Sequence, residues 1–344
     1  MMQGQDPQVE FKDGYYNLVQ SDGCNIRLRR ATTLNGLAAA SNPVIYAVGC
    51  TNVWAPEIHW LSNYWYLYYS ADTGGADRKR VHVAQSSGAN PSGPYTERGV
   101  LYDGYWNIDG SVFVSTNGQL YFICSGNPSG TQNIYIAPMS GPSTLSGPLT
   151  MISAPTQSWE RNGTVNEGPF GFVHNGRVFI VYSASGCWTD DYCLGLLSLT
   201  GSNPLNAASW TKTGPVFSQQ PGAYGPGHNC LVQDAAGQWW NVYHANNLSG
   251  QGCGGYRQLH AQRLSWEPDN TPYFGTPGPI GSRITEDVNF LVCEFPLTET
   301  SGNQASTLVC GPAGALVGSP VWMHPGLKFN GKHRLRGLWL GAGQ

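Results

Sequence analysis

Five times along the chain, a turn signal leads into a run of aromatic and β-branched residues that ends on small polar ones. The runs are DGYYNLVQSDG (13–23), SNYWYLYYSADTG (62–74), NGQLYFICSGN (117–127), NGRVFIVYSASG (175–186) and AGQWWNVYHANN (236–247). Each has strand length and follows a turn cue such as Asp-Gly or Asn-Gly, so each predicts a β-strand leaving a tight turn. Aligned at Tyr15, Trp65, Leu120, Val178 and Trp239, the runs recur at steps of 50, 55, 58 and 61 residues.

Self-similarity at such a period, all of it strand, predicts radial repetition. A propeller blade is a four-stranded sheet, and five blades of this period fill about the first 280 residues. The expectation is therefore an all-β, five-bladed β-propeller over residues 1–283. A β-sandwich is the rival, but it gives no reason for spacing this even. Closing a propeller usually pairs its terminal strands.

Upstream of each shared run lies a second segment that starts polar and turns apolar: QDPQVEF, APEIHWL, IDGSVFV, NEGPFGFV and GHNCLVQ. If these are the innermost strands, Asp6, Glu57, Asp109, Glu167 and His228 ring one end of the central channel. Crowded carboxylates repel and desolvate one another, which keeps one protonated near neutral pH while another stays ionised.

Composition narrows the chemistry. The chain of 344 residues has 45 Gly and 23 Pro, is 12% aromatic and only 11% charged, and carries a net charge of −3. Low charge with many Trp and Tyr suits a neutral, sugar-like partner, and gives no reason to expect nucleic acid or an anionic membrane. There is no run of 18 apolar residues that would span a bilayer, no P-loop or Rossmann fingerprint, and no nucleophile elbow. Paired carboxylates in an aromatic-lined pocket point to glycoside hydrolysis. Nine cysteines and the sequons at Asn162 and Asn247 suit a secreted protein. The N-terminus lacks signal-peptide shape, so the expected leader is missing from this chain. Cys187 and Cys193, in GCWTDDYC, could close a short loop, although sequence does not fix pairing.

The motifs DPQV, VWAPEIHWL, IDGSVF, VNEGPF and GPGHN, in that order, resemble glycoside hydrolase family 43 over roughly residues 5–283. Longer stretches, including GTQNIYIAPMS and VFIVYSASGCWTDDYCLGLL, resemble its exo-acting α-L-arabinofuranosidases that trim 1,5-linked arabinan. The resemblance implies single-displacement inversion. Asp6 would be the general base, Glu167 the general acid and Asp109 the carboxylate that holds up the pKa of the acid. It implies that Trp54 lines the sugar subsite, and that His228 helps hold a structural calcium or sodium ion in the channel. Arg257 is expected to reach a carboxylate or a sugar hydroxyl. No cofactor is needed for the chemistry. The expected partner is an arabinan-type plant cell-wall polysaccharide or oligosaccharide, met by a monomer. The alternatives are a β-xylosidase of the same family and a non-catalytic, lectin-like propeller. Residues 284–344 lose the blade pattern and resemble the opening of a laminin-G or concanavalin-like sandwich, here a truncated accessory segment.

Overall fold

The computed structural model describes residues 2–75 and 78–279, together with five short strands between Gln304 and Arg336. The chain parts into two units, Met1–Ile284 and Thr285–Gln344. In the second unit, Gly314–Val317 pairs with Gln304–Ala305 and Arg334–Arg336, and Val321–Trp322 with Leu327–Lys328. The laminin-G expectation otherwise falls outside the described residues.

The first unit is a five-bladed propeller of antiparallel sheets. Blade 1 is Gln8–Lys12, Tyr15–Ser21, Asn25–Ala31 and Val44–Ala47, from inside outward. Blade 2 is Trp54–Leu61, Tyr64–Asp72, Lys79–Ser86 and Tyr95–Val100. Blade 3 begins with Asn107–Val114, Leu120–Gly126 and Asn133–Gly141, and two short strands, Thr144–Leu145 and Thr150–Ser153, pair with the last of these. Blade 4 is Asn166–His174, Arg177–Ala184, Cys193–Leu199 and Trp210–Phe217. Blade 5 takes Tyr224–Gln233, Trp239–Asn246 and Gln258–Arg263 from its own sequence, and its outermost strand is Met2–Gln3. Met2 pairs with Leu259 and Gln3 with Gln258, so the ring closes with the few residues that precede Asp6.

The five repeated runs are the second strands of the five blades. Packed on both faces by neighbouring blades, they read as nearly continuous apolar sequence. Five hydrophobic clusters fill the five blade-to-blade interfaces. Val19, Ile26 and Leu28 of blade 1 meet Ile58, Trp65 and Leu67 of blade 2. Tyr68 and Val83 meet Val112 and Phe122 at the next interface. Ile123 and Ile136 meet Ile180 and Tyr182, Phe179 and Leu196 meet Leu231 and Tyr243, and Val242 and Leu259 meet Val9 and Leu18 across the closure. Truncating one such residue to Ala costs about 2–5 kcal/mol, because the ring relaxes only partly into the void.

Candidate active site

The inner strands do not run straight into the channel mouth. Register shifts interrupt those of blades 2 to 5, between Trp54 and Glu57, Ile108 and Ser111, Glu167 and Phe170, and Gly227 and Cys230. A left-handed residue sits at each shift: Ala55 (φ 40°), Asp109 (φ 54°), Gly168 (φ 52°) and His228 (φ 46°). Asp6, just before the inner strand of blade 1, shares the conformation (φ 49°). Such backbone costs of order 1–3 kcal/mol at a non-glycine residue and persists only where its surroundings hold it.

This corrects the expected five-fold phase. Asp6, Asp109 and His228 are equivalent, but the same place is Ala55 in blade 2 and Gly168 in blade 4. Glu167 stands one residue earlier, where blade 2 has Trp54, and Glu57 two residues later than Ala55. Glu57 turns to His59, whose Nε2 lies 2.6 Å from its Oε2.

What holds the strained positions is a second repeat. Five residues after each alignment point of the second strands lie Gln20, Ser70, Ser125, Ser183 and His244. The Asp109 N–H donates to Ser70 Oγ (3.0 Å), the His228 N–H to Ser183 Oγ (2.7 Å) and the Asp6 N–H to His244 Nδ1 (3.1 Å). Ser125 Oγ donates to the Asn166 carbonyl, beside Glu167 (2.8 Å). Four of the five second strands thus fix the inner strand of the following blade at the site, while Gln20 accepts from Arg29 of its own blade.

Asp6 is surrounded by nitrogen. Arg257 donates through one guanidinium nitrogen to Asp6 Oδ1 at 3.0 Å, and His228 Nδ1 lies 3.3 Å from the same oxygen. Burial pushes the carboxyl of Asp6 up, but His228 and then Arg257 outweigh it and hold it below the usual carboxylate range. His228 is the reverse case. Burial disfavours its charge, yet Asp6, Asp109 and Glu167 favour it more, and its pKa is raised. His244 is driven well below the ordinary range by burial and by Arg257, so it is neutral and accepts the Asp6 N–H at Nδ1.

Glu167 and Asp109 move the other way. Burial is the main cause for both, and each is pushed up. Repulsion from Glu167 and Asp6 adds to the rise at Asp109, against His228 and the Gly168 N–H that donates to its Oδ2 at 2.9 Å. At Glu167, His228 and the donors Tyr192 (hydroxyl to Oε1, 3.0 Å) and Gln132 (Nε2 to Oε2, 3.1 Å) hold the rise in check. Two facing buried carboxyls titrate as a unit. A Cβ on Gly168 would lie 3.1 Å from His228 Cγ, so that glycine is fixed by the imidazole and the left-handed backbone.

Trp54 is 40% exposed at the mouth, with Lys79 Nζ 4.3 Å from its ring centroid and its indole N–H on Asn52. Arg257 is buried against Asp6. The possible Cys187–Cys193 loop is not formed. Cys187 bonds to Cys253 and Cys24 to Cys50, while Cys193 starts a blade 4 strand and buries its thiol in the blade 3–4 core. Among the described residues no three His, Cys, Asp or Glu side chains converge as a metal site. His228 alone, facing Asp6, does not build a protein cage for an ion.

The model of glycosyl hydrolases family 43 matches residues 2–272. The chain belongs to family 43. Among family 43 relatives, an extracellular exo-α-(1→5)-L-arabinofuranosidase of Streptomyces avermitilis is 40% identical over 79% of this chain and 61% of its own length. Alpha-L-arabinofuranosidase 43 of Humicola insolens is 37% identical over 82% of this chain and 63% of its own length. The chain thus spans about three fifths of the length of these two relatives. The crystal structure of an α-L-arabinofuranosidase from Lactobacillus brevis superposes with a TM-score of 0.75 at 31% identity, covering 81% of this chain and 96% of that one. The five-bladed propeller is therefore the fold of family 43 neighbours as well.

Sequence reasoning passed over His244, Tyr192 and Gln132. His244 had a signal: it breaks a column otherwise filled by Gln20 and three serines. Tyr192 and Gln132 lie between repeats, and nothing in their spacing marks them.

Proposed function

We propose that this chain is an inverting, exo-acting α-L-arabinofuranosidase that removes arabinose from arabinan or arabino-oligosaccharides. The observation that carries the reading is an unlike set of carboxyls in one mouth: Asp6, bonded to Arg257 and facing His228, is pushed below the usual carboxylate range, while the coupled pair Glu167 and Asp109 is pushed above it. Asp6 takes a proton from water as the water oxygen attacks the anomeric carbon. Glu167 gives its proton to the glycosidic oxygen as that bond breaks, and the sugar leaves with inverted configuration. Asp109 forms a coupled pair with Glu167, and like-charge repulsion disfavours ionising both, so the pair retains a proton for the acid step. Trp54 offers an aromatic face to the sugar. The names of the relatives support the arabinan-type substrate, and those of the Streptomyces enzymes support secretion. Were a calcium or sodium ion to enter the channel, His228 would be the side chain to hold it, and no step of the reaction runs through it.

The test is to incubate the protein with linear arabinan, branched arabinan, arabinoxylan and xylo-oligosaccharides, and to follow products by NMR. Arabinose released singly with inverted anomeric configuration supports the reading. Xylose release would replace it with a β-xylosidase, and binding without turnover with a lectin.

A further inference from the structure

Arg257, which donates to Asp6 Oδ1 at 3.0 Å, sits at the end of a poor support. The loop before it reads SGQGCGGYR, with Gly250, Gly252, Gly254 and Gly255 inside six positions. Glycine-rich backbone has much freedom to lose and little preference for any one shape. Yet the guanidinium is gripped by this loop: one terminal nitrogen donates to the Cys253 carbonyl at 3.0 Å and Nε to the Gly254 carbonyl at 3.4 Å. Cys253 is in turn bonded to Cys187, in the corresponding loop of blade 4, 66 residues earlier. That second loop also carries Tyr192, the donor to Glu167. It holds the glycine loop again through Asp190, which accepts the N–H of Gly250 at 3.0 Å.

Resting on the reading of Asp6 and Glu167 as base and acid, we propose that the Cys187–Cys253 disulfide is a clasp across blades 4 and 5 that positions Arg257 on the base, so that turnover depends on its being formed. Cys187 and Cys253 are positioning residues: neither touches the reacting atoms. The disulfide restricts the one loop that could not hold a guanidinium by itself. It ties that loop to the segment that holds the acid, so base and acid keep their separation. The Arg257 carbonyl also accepts the Gly4 N–H at 3.0 Å, which carries the restraint into the strand leading to Asp6.

The experiment is a cycle in the full chain, assayed well below its melting temperature. Replacing both cysteines (Cys187→Ser with Cys253→Ser) is expected to lower kcat by about tenfold to a hundredfold, with KM changing much less. In an Arg257→Lys background the same two replacements should cost about twofold or less, because the restraint acts through the arginine. Losses that multiply in full, or an unchanged kcat, would overturn the clasp. Hydrogen exchange decides the matter independently of activity. The amides of Gly4 and Asp6 should exchange faster in the double serine variant while those of blades 2 and 3 stay protected. Unchanged exchange at Gly4 and Asp6 would overturn the proposal even if the wild type proved to act on a different glycoside.

Discussion

The same five inner strands present carboxyl groups at both ends of the channel, and the two ends behave differently. At one mouth Asp6 is lowered while Asp109 and Glu167 are raised, within reach of a shared His228. Towards the other end, a cavity of about 380 Å³ is lined by Glu10, His59, Phe113, Phe172 and Trp239, among others. There Glu10 is pushed up to about 7, first by burial and then by Glu57, against the pull of His59. A raised carboxyl alone is thus what burial makes anywhere in this channel. What distinguishes the first mouth is a lowered carboxyl beside a raised one, and the imidazole of His228 and guanidinium of Arg257 that produce the difference.

The strongest way to break that comparison is to remove one member of the unlike pair. Glu167→Ala and Asp6→Ala should each reduce kcat/KM on an arabinofuranoside by about 10²–10⁴-fold, with circular dichroism unchanged. Azide should rescue one of the two on an activated substrate. A variant that kept near wild-type turnover would remove its residue from the mechanism. Next comes the pH profile. Rate should rise as Asp6 ionises and fall as Glu167 loses its proton, giving a bell. Asp109→Asn takes away a like charge, so its alkaline limb should move to lower pH. Tyr192→Phe takes away a hydrogen bond to the ionised acid, so its alkaline limb should move to higher pH.

Smaller effects belong to the supports and to the far end. Ser183→Ala leaves the buried His228 N–H without its acceptor and should cost about 1–3 kcal/mol in chemical denaturation. Glu10→Gln should leave kcat and KM unchanged. Its effect is on stability: the folded pKa of Glu10 lies above its ordinary value of 4.5. Its contribution is therefore complete at low pH and lost as pH rises through about 7. Melting temperature of the wild type should decline over that window more than that of the variant.

The fold was legible because each blade repeats one strand packed between two neighbours, and a doubly buried strand leaves a dense apolar signature. That Asp6, Asp109 and Glu167 converge at one mouth was legible because a charge at the start of an inner strand is costly unless paired or used. The error at Glu57 has a physical origin. Sequence phase counts residues, while a bulge spends one on turning the backbone, and a left-handed Ala55 leaves no mark in composition. The Cys187–Cys253 bond was hidden for a related reason: a link between blades is set by the angle at which loops meet. Arg257 was noticed, but its partner among several carboxylates became visible only with the ring closed.

Closure by Met2 and Gln3 on Leu259 and Gln258 has a consequence for how activity is acquired. Asp6, the proposed base, comes three residues after the closing strand, whereas Glu167, the proposed acid, and its partners belong to blades 3 to 5. Ring closure pairs segments more than 250 residues apart, a contact with a large loop to close. On the roles proposed above, a chain caught before Met2 and Gln3 pair with blade 5 would own an acid without a base. Enzymatic turnover is then a report on topology: it switches on only when the circle is complete, and it would fade first when that two-residue seam opens.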